Sequence, residues 1–275
     1  MNKILFFIIV FGINFSFSHS LSGTIEINGL SRDYEIKLIQ NKFQISKKGF
    51  CPCCNSSTVF ITNHAWFRDH YVCSNCKSKV RDRQIYKLLN KQNFDFDNIV
   101  CLEFSPNIHN FLKNRTKNYL ASCYFPDKRL GRKFSGIQNE DIQKLTFKDN
   151  SFDLIIHEDV FEHIFDPISA IQEIYRVLKV HGKCIFCFPI FERDKSIQRC
   201  KLENGTIIDI LPKDFHGSPI GNRKSLVVYE YGRDIIEKMK KKLGDKVKFT
   251  HIKNVDENMG IIGKFLDVFM IEKLA

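Results

Sequence analysis

Cys51 and Cys54 form one C-x2-C pair and Cys73 and Cys76 a second, with 18 residues between the pairs. Two tight turns that each offer two thiolates can close a tetrahedral shell around one Zn2+, and this separation falls in the zinc-ribbon range. Four protein ligands leave no position for water, so such a metal would hold structure. Cys53, inside the first pair, reads as a spectator able to exchange with a neighbour. Buried free thiols, or two disulfides in an exported chain, are the other readings, and paired spacing on both sides favours zinc. His64 and His70 lie between the pairs and read as surface residues.

A second set of polar side chains closes predicted strands. "VCLEF" ends on Glu103-Phe104 and turns through Ser105-Pro106-Asn107 into a helix; "YLASCY" ends on Cys123-Tyr124, and "FDLIIHE" on His157-Glu158. Asp141-Ile142 precedes "LTF". A pyrophosphate needs backbone N–H groups and a helix dipole close by, hence glycines in the first turn. The glycine-free turn here argues against NAD and FAD.

These residues need a scaffold, and the patterning from Asn98 onward supplies one. Strand-like patches ("NIVCLEF", "YLASCY", "FDLIIHE", "KCIFCFP", "KVKFTHI", "LDVFMIEKL") alternate with helix-like ones ("IHNFLKN", "PISAIQEIYRVLKV", "GRDIIEKMKKKLG"). That alternation predicts a parallel, doubly wound α/β sheet. In one helix Asp166 caps the start, Pro167 suits the first turn and Gly182 lies beyond the end. Ile171, Ile174, Tyr175 and Leu178 give it one apolar stripe. Upstream, "TIEING" and "YEIKLIQNKFQIS" alternate as strands of a small hairpin-like unit, and "VRDRQIYKLLNKQ" follows the cysteines as a basic helix.

The chain has 275 residues, 43% hydrophobic, enough for one large domain with a small appendage. A net charge of +11 permits an acidic partner such as RNA or an anionic membrane surface. The basic runs, Lys77–Arg83 and "KMKKKLGDKVK", read first as solvated faces. Residues 1–20 have the grammar of a secretory signal, interrupted by Gly12 and Asn14. Cysteines isolated in apolar strands (Cys101, Cys184, Cys187) suit a reducing compartment instead, so the reading is cytoplasmic with export or membrane attachment left open.

The segment "SFDLIIHEDVFEHI" together with "EIYRVLK" resembles the type 11 group of class I S-adenosylmethionine-dependent methyltransferases, and the resemblance covers Asn98 to Ala275. It implies a Rossmann-like seven-stranded sheet with a late antiparallel strand, behind a small β unit with the zinc ribbon. The expected boundaries are 1–20 for the apolar leader, 21–90 for the β/zinc-ribbon unit and 91–275 for the methyltransferase domain. S-adenosylmethionine carries no phosphate, so a Ser-Pro-Asn turn can still seat it. By motif position Glu103, Phe104 and Ser105 would line its methionine end, and Cys123 and Tyr124 would flank the ribose. Asp141 and Ile142 would hold the adenine, and His157 and Glu158 would stand where cofactor meets substrate. Cys123 departs from the family, which places an acid there; a thiol is a weak donor and a poor acceptor. His163 in "FEHI" and His216 in "DFHGSP" are the candidate general bases. The resemblance implies methyl transfer to a small molecule or glycan. The alternatives are an RNA methyltransferase that uses ribbon and basic surface, and a non-catalytic binding protein with a degenerate cofactor pocket.

Overall fold

The computed structural model describes residues 24–26, 44–106, 112–217 and 224–275. The apolar leader, residues 27–43 and the start of the helix expected after Pro106 lie outside these. Strands β1 (Thr24–Glu26), β2 (Gln44–Cys51), β3 (Ser56–Thr62) and β4 (Val72–Cys73) form a four-stranded sheet in that order. The hairpin expected of residues 24–29 and 34–46 lies mostly outside the described residues; where they are described, Thr24–Glu26 runs parallel to Gln44–Ser46, and β2–β3 is an antiparallel hairpin folded around Cys51–Asn55. Helices α1 (Phe67–His70) and α2 (Val80–Leu89) flank β4. Phe60, Phe67, Tyr71 and Val80 pack there with Ile261, Ile262 and Leu266 from far along the chain.

The basic run in α2 is not a solvated face. Arg83 is 0% exposed, lies 4.5 Å over the Phe60 ring and donates to the carbonyls of Tyr71 (2.8 Å) and Gly260 (2.7 Å). Backbone carbonyls and an aromatic face replace the water that a guanidinium would lose on burial. The later lysine run behaves as expected: in α4 (Asp234–Leu243), Lys238, Lys240, Lys241 and Lys242 are exposed while Ile235, Ile236, Met239 and Leu243 face inward.

Among the described residues the large sheet has eight strands, not seven. They are β5 (Val100–Phe104), β6 (Asn118–Cys123), β7 (Lys133–Phe134), β8 (Ile137–Asn139), β9 (Phe152–Glu158), β10 (Leu178–Cys187), β17 (Val247–Lys253) and β18 (Asp267–Lys273). Their order is β17-β18-β10-β9-β5-β6-β8-β7. The extra strand is β7, turned back on β8 through Ser135 and Gly136, both at positive φ as a tight hairpin requires. β5, β6, β8, β9 and β10 run parallel to one another, and β18 is antiparallel to β10 and β17 as expected. Side chains alternate between two cores. Leu102, Ile155, Cys184, Phe186 and Phe269 pack on α3 (Pro167–Val177) and α4, while Cys101, Leu154, Ile156, Ile185 and Met270 pack on Ile85, Leu88 and Leu89 of α2. Helices thus cover both faces, the condition for a parallel sheet.

α3 ends at Val177, one residue short of the predicted stripe, because Leu178 turns straight into β10. Lys273 Nζ closes that end on the carbonyls of Tyr175 (3.1 Å) and Leu178 (2.9 Å). Between β10 and α4 the chain forms small two-stranded pairs: β11 (Ile197–Gln198) with β16 (Tyr229–Glu230), β12 (Cys200–Glu203) with β13 (Thr206–Asp209), and β14 (Phe215–Gly217) with β15 (Lys224–Leu226). Among the described residues no helix is long and apolar enough to cross a membrane.

Asp166 caps α3 as predicted, its Oδ1 accepting from the backbone N–H of Ile168 (3.1 Å) and Ser169 (2.9 Å). Asp166→Ala leaves both donors to water and should lower the free energy of unfolding by about 1 kcal/mol in denaturant titration.

Candidate functional site

The strand order places the carboxyl ends of β9, β5, β6 and β8 side by side, with the reversal of winding between β5 and β9. Ligands of open α/β sheets bind outside such a crevice. β5 ends at a turn where Ser105 adopts φ 51°, the left-handed conformation that glycine supplies in nucleotide-binding turns. Its N–H is anchored on the Ser122 carbonyl at 2.8 Å. A non-glycine residue pays about 1–2 kcal/mol for this conformation, so the glycine-like path survives without glycine.

Around the crevice, Glu103 is buried and accepts from the Tyr119 hydroxyl at 2.7 Å. Phe104 and Ile142 are buried in the sheet's core. Cys123 is buried, and its thiol is pushed up to about 12 by burial and by the nearby Glu103 carboxylate, so it stays neutral. Tyr124, next to it, is 56% exposed. Asp141 is half-buried; its Oδ1 accepts from the backbone N–H and the side-chain Nε2 of Gln143, both at 2.9 Å. His157 points into the core instead of the crevice, stacked between Phe161 (4.9 Å) and Phe186 (4.8 Å). Burial drops it to about 3, which makes it a neutral packing residue.

Glu158 is also committed inside the protein. Its Oε2 receives Arg81 Nε at 3.2 Å, and Arg81 reaches Asp159 Oδ2 at 3.3 Å and also pairs with Asp69. Arg68, 2% exposed, pairs with Asp159 and donates to the Phe265 carbonyl at 2.6 Å. Two arginines of the small unit therefore lock onto the end of β9. Neither arginine stood out in the sequence, where "FRDH" and "VRDR" resemble surface helix ends.

The four paired cysteines converge as their spacing predicts. Their sulfurs lie within 4.8 Å of one another, with Cys51–Cys76 at 3.7 Å and Cys54–Cys73 at 3.9 Å. A zinc tetrathiolate with bonds of about 2.3 Å has S···S edges of about 3.8 Å, so the donor set fits zinc. Asn55 and Lys77, each directly after a pair, take positive φ and curl the two turns toward each other. Ser78 Oγ lies 3.3 Å from both Cys51 and Cys76, Thr58 Oγ1 3.2 Å from Cys73, and Ser56 Oγ 3.1 Å from Cys54. Each sulfur thus has a hydroxyl in reach, the outer-shell donors that thiolate ligands use. Cys53 stands outside the set. His64 and His70 are stacked on each other at 4.1 Å, apart from it.

A second cluster follows β9. His163 Nε2 lies 3.9 Å and His216 Nδ1 3.6 Å from Glu162 Oε1, and the two rings meet edge to face at 5.2 Å. The structure thus joins the two histidines to each other and to Glu162, which the sequence reading did not single out. Adjacency to His163 was the one available signal.

Residues 84–186 match the family described as "Methyltransferase domain". A glycine/sarcosine/dimethylglycine N-methyltransferase of Actinopolyspora halophila is 34% identical over 90 residues, 33% of this chain and 15% of that protein. An uncharacterized protein of Methanocaldococcus jannaschii is 30% identical over 137 residues, 42% of this chain and 60% of that protein. The chain therefore spans less than two thirds of either curated relative. Among solved structures, an S-adenosylmethionine-dependent methyltransferase from Mesorhizobium loti is 10% identical with a TM-score of 0.44, covering 70% of this chain and 100% of that one. Another from Clostridium acetobutylicum is 17% identical with a TM-score of 0.42, covering 70% and 89%. Residues 84–186 thus resemble a methyltransferase domain, and the eight-stranded mixed sheet is a Rossmann-like α/β fold.

Burial alone would raise the Asp159 carboxyl, but Arg68 and then Arg81 outweigh it and hold it below the ordinary range. A depressed carboxylate stabilises the fold above its unfolded pKa of about 4 and loses that contribution as pH falls through the folded value. Arg68→Met should lower stability by about 2–3 kcal/mol at pH 7, less than a fully buried broken pair because Asp159 keeps some solvent contact. Denaturant titrations at pH 7 and pH 3 should show the difference between wild type and variant shrinking at the lower pH.

Proposed function

We propose that this protein is an S-adenosylmethionine-dependent methyltransferase acting on a small-molecule or glycan acceptor, with a structural zinc in its N-terminal ribbon. The observation that carries the reading is the left-handed Ser105 turn at the winding reversal of the sheet, within a segment that matches a methyltransferase domain. The name of the Actinopolyspora relative adds to a small-molecule acceptor. When bound, the cofactor supplies an already activated methyl group on a sulfonium, so the protein's work is alignment.

Each residue's part follows from its setting. The Ser105 turn and the buried Glu103 carboxylate line the methionine end. Asp141 uses Oδ1 on Gln143 and keeps Oδ2 to accept from the adenine amino group, while Ile142 packs beneath the ring. Cys123 stays a neutral thiol, so ribose binding here relies on contacts other than an acid at that position. Glu158, held by Arg81, shapes the acceptor side, and His157 supports it from the core. His216, exposed beside Glu162, is placed to take a proton from an acceptor hydroxyl or amine, with His163 behind it. The ribbon's arginines cover the end of β9, which favours a closed site for a small acceptor over an open groove for RNA.

Two measurements test this reading. Asp141→Ala should weaken S-adenosylhomocysteine binding roughly tenfold by calorimetry with an unchanged melting curve, the loss of one hydrogen bond to a charged group. No binding by wild type would remove the methyltransferase reading, and equal affinity would remove Asp141 from the site. Elemental analysis should find tightly held zinc, about one per chain, that is lost in Cys73→Ser/Cys76→Ser. Disulfides mapped across these cysteines would contradict it.

A further inference from the structure

The 3-10 turn Phe161–His163 after β9 drives Glu162 inward until its side chain is 2% exposed. Neither carboxylate oxygen has a hydrogen-bond donor among the described residues. A buried carboxylate without donors is strongly unfavourable, so something of positive charge should complete it. His163 Nδ1 meets the Leu226 carbonyl at 2.8 Å, and because a carbonyl only accepts, Nδ1 carries the hydrogen. The Nε2 of a neutral His163 is then a lone pair that faces Glu162 Oε1 at 3.9 Å. His216 Nδ1 approaches the same oxygen from β14, at 3.6 Å, beyond hydrogen-bond length. One ligand atom from each of the three residues lies within 4.8 Å of the others.

We propose that Glu162, His163 and His216 form a metal site, separate from the cysteine ribbon, for a divalent first-row transition metal ion. Two imidazoles and one carboxylate suit Zn2+, Fe2+, Mn2+ or Co2+, whereas Ca2+ and Mg2+ prefer all-oxygen shells. The His163 contact to Leu226 is the outer-shell bond that metal-bound imidazoles make, fixing the tautomer and aiming the other nitrogen at the ion. Bonds of about 2.1 Å set neighbouring ligand atoms about 3.0–3.4 Å apart, so binding contracts the 3.6 and 3.9 Å edges at Glu162 by roughly 0.2–0.9 Å. Three protein ligands leave coordination positions open, unlike the ribbon's four. His216, 43% exposed, lies on the side from which an ion can enter. Because the site follows β9 at the ligand end of the sheet, those positions would take an oxygen or nitrogen of the methyl acceptor; with the ion bound, His216 has no free lone pair, and the ion rather than His216 would make the acceptor's proton easier to lose. That last step rests on the methyltransferase reading; cation binding does not.

Co2+ is the probe, added to full-length protein dialysed against citrate, with retention of the ribbon zinc checked by elemental analysis. Wild type should take up one further Co2+ without the thiolate-to-cobalt absorption that binding at the cysteines would produce. Glu162→Gln and His216→Ala should each weaken that uptake at least tenfold while the ribbon zinc remains. No uptake by wild type, uptake only with thiolate absorption, or unchanged uptake in His216→Ala would overturn the site. His216 sits on an exposed strand, so its variant decides the matter even if Glu162→Gln fails to fold. S-adenosylhomocysteine binding measured on the same samples keeps the fate of the methyltransferase reading separate.

Discussion

The contact on which this structure depends is the buried cluster at the end of β9, where Arg68 and Arg81 hold the Asp159 carboxylate ionised and Arg81 also donates to Glu158, whose carboxyl is pushed up by burial and by neighbouring acids. A parallel sheet leaves its carboxyl ends open, and two adjacent acids there would repel each other if unpaired. The arginines come from helices α1 and α2, which flank the last cysteine turn. The cysteine turns, the two helices and the end of β9 are thus consecutive links in one chain of contacts. Removing one partner of such a cluster leaves an uncompensated charge in low dielectric, so the whole arrangement stands or falls together.

Next to this cluster the sheet core is built of stacked rings. Phe161, Phe186, Phe188 and Phe269 are stacked or tilted against their neighbours, with His157 inserted as a neutral member. The Phe161–His163 turn is held from below by this packing and from above by the Val228 N–H on the Glu162 carbonyl at 2.7 Å. Glu162 therefore points inward because its neighbours on both sides are fixed. Rigid placement of a few polar groups over an apolar floor is the usual make-up of a small-molecule site.

Much of this was legible in the sequence. Apolar runs after Asn98 gave the parallel strands, Asp166-Pro167 gave the start of α3, and the cysteine spacing gave the cluster of sulfurs. What stayed hidden shares a physical cause: it depends on contacts between segments distant in sequence. Arg81 and Arg83 look like a solvated basic run until the acids and carbonyls that receive them, 77 and 177 residues away, are folded beside them. Glu162 and His216 come together only through the β14–β15 pair. The parallel β1–β2 pair and the two-residue β7 are too short or too unpatterned to announce their partners. Ser105 held a subtler lesson, since the residue type changed while the backbone conformation that glycine serves was kept.

The cysteine unit and the ligand end of the sheet thus form one mechanical unit joined at β9. Hydrogen exchange measured by mass spectrometry, with and without chelation of the zinc proposed for the cysteine turns, tests it most directly. Metal removal should lower protection in residues 44–78 and, with it, in residues 155–163, while α3 is unchanged. Loss of protection confined to residues 44–78 would contradict it.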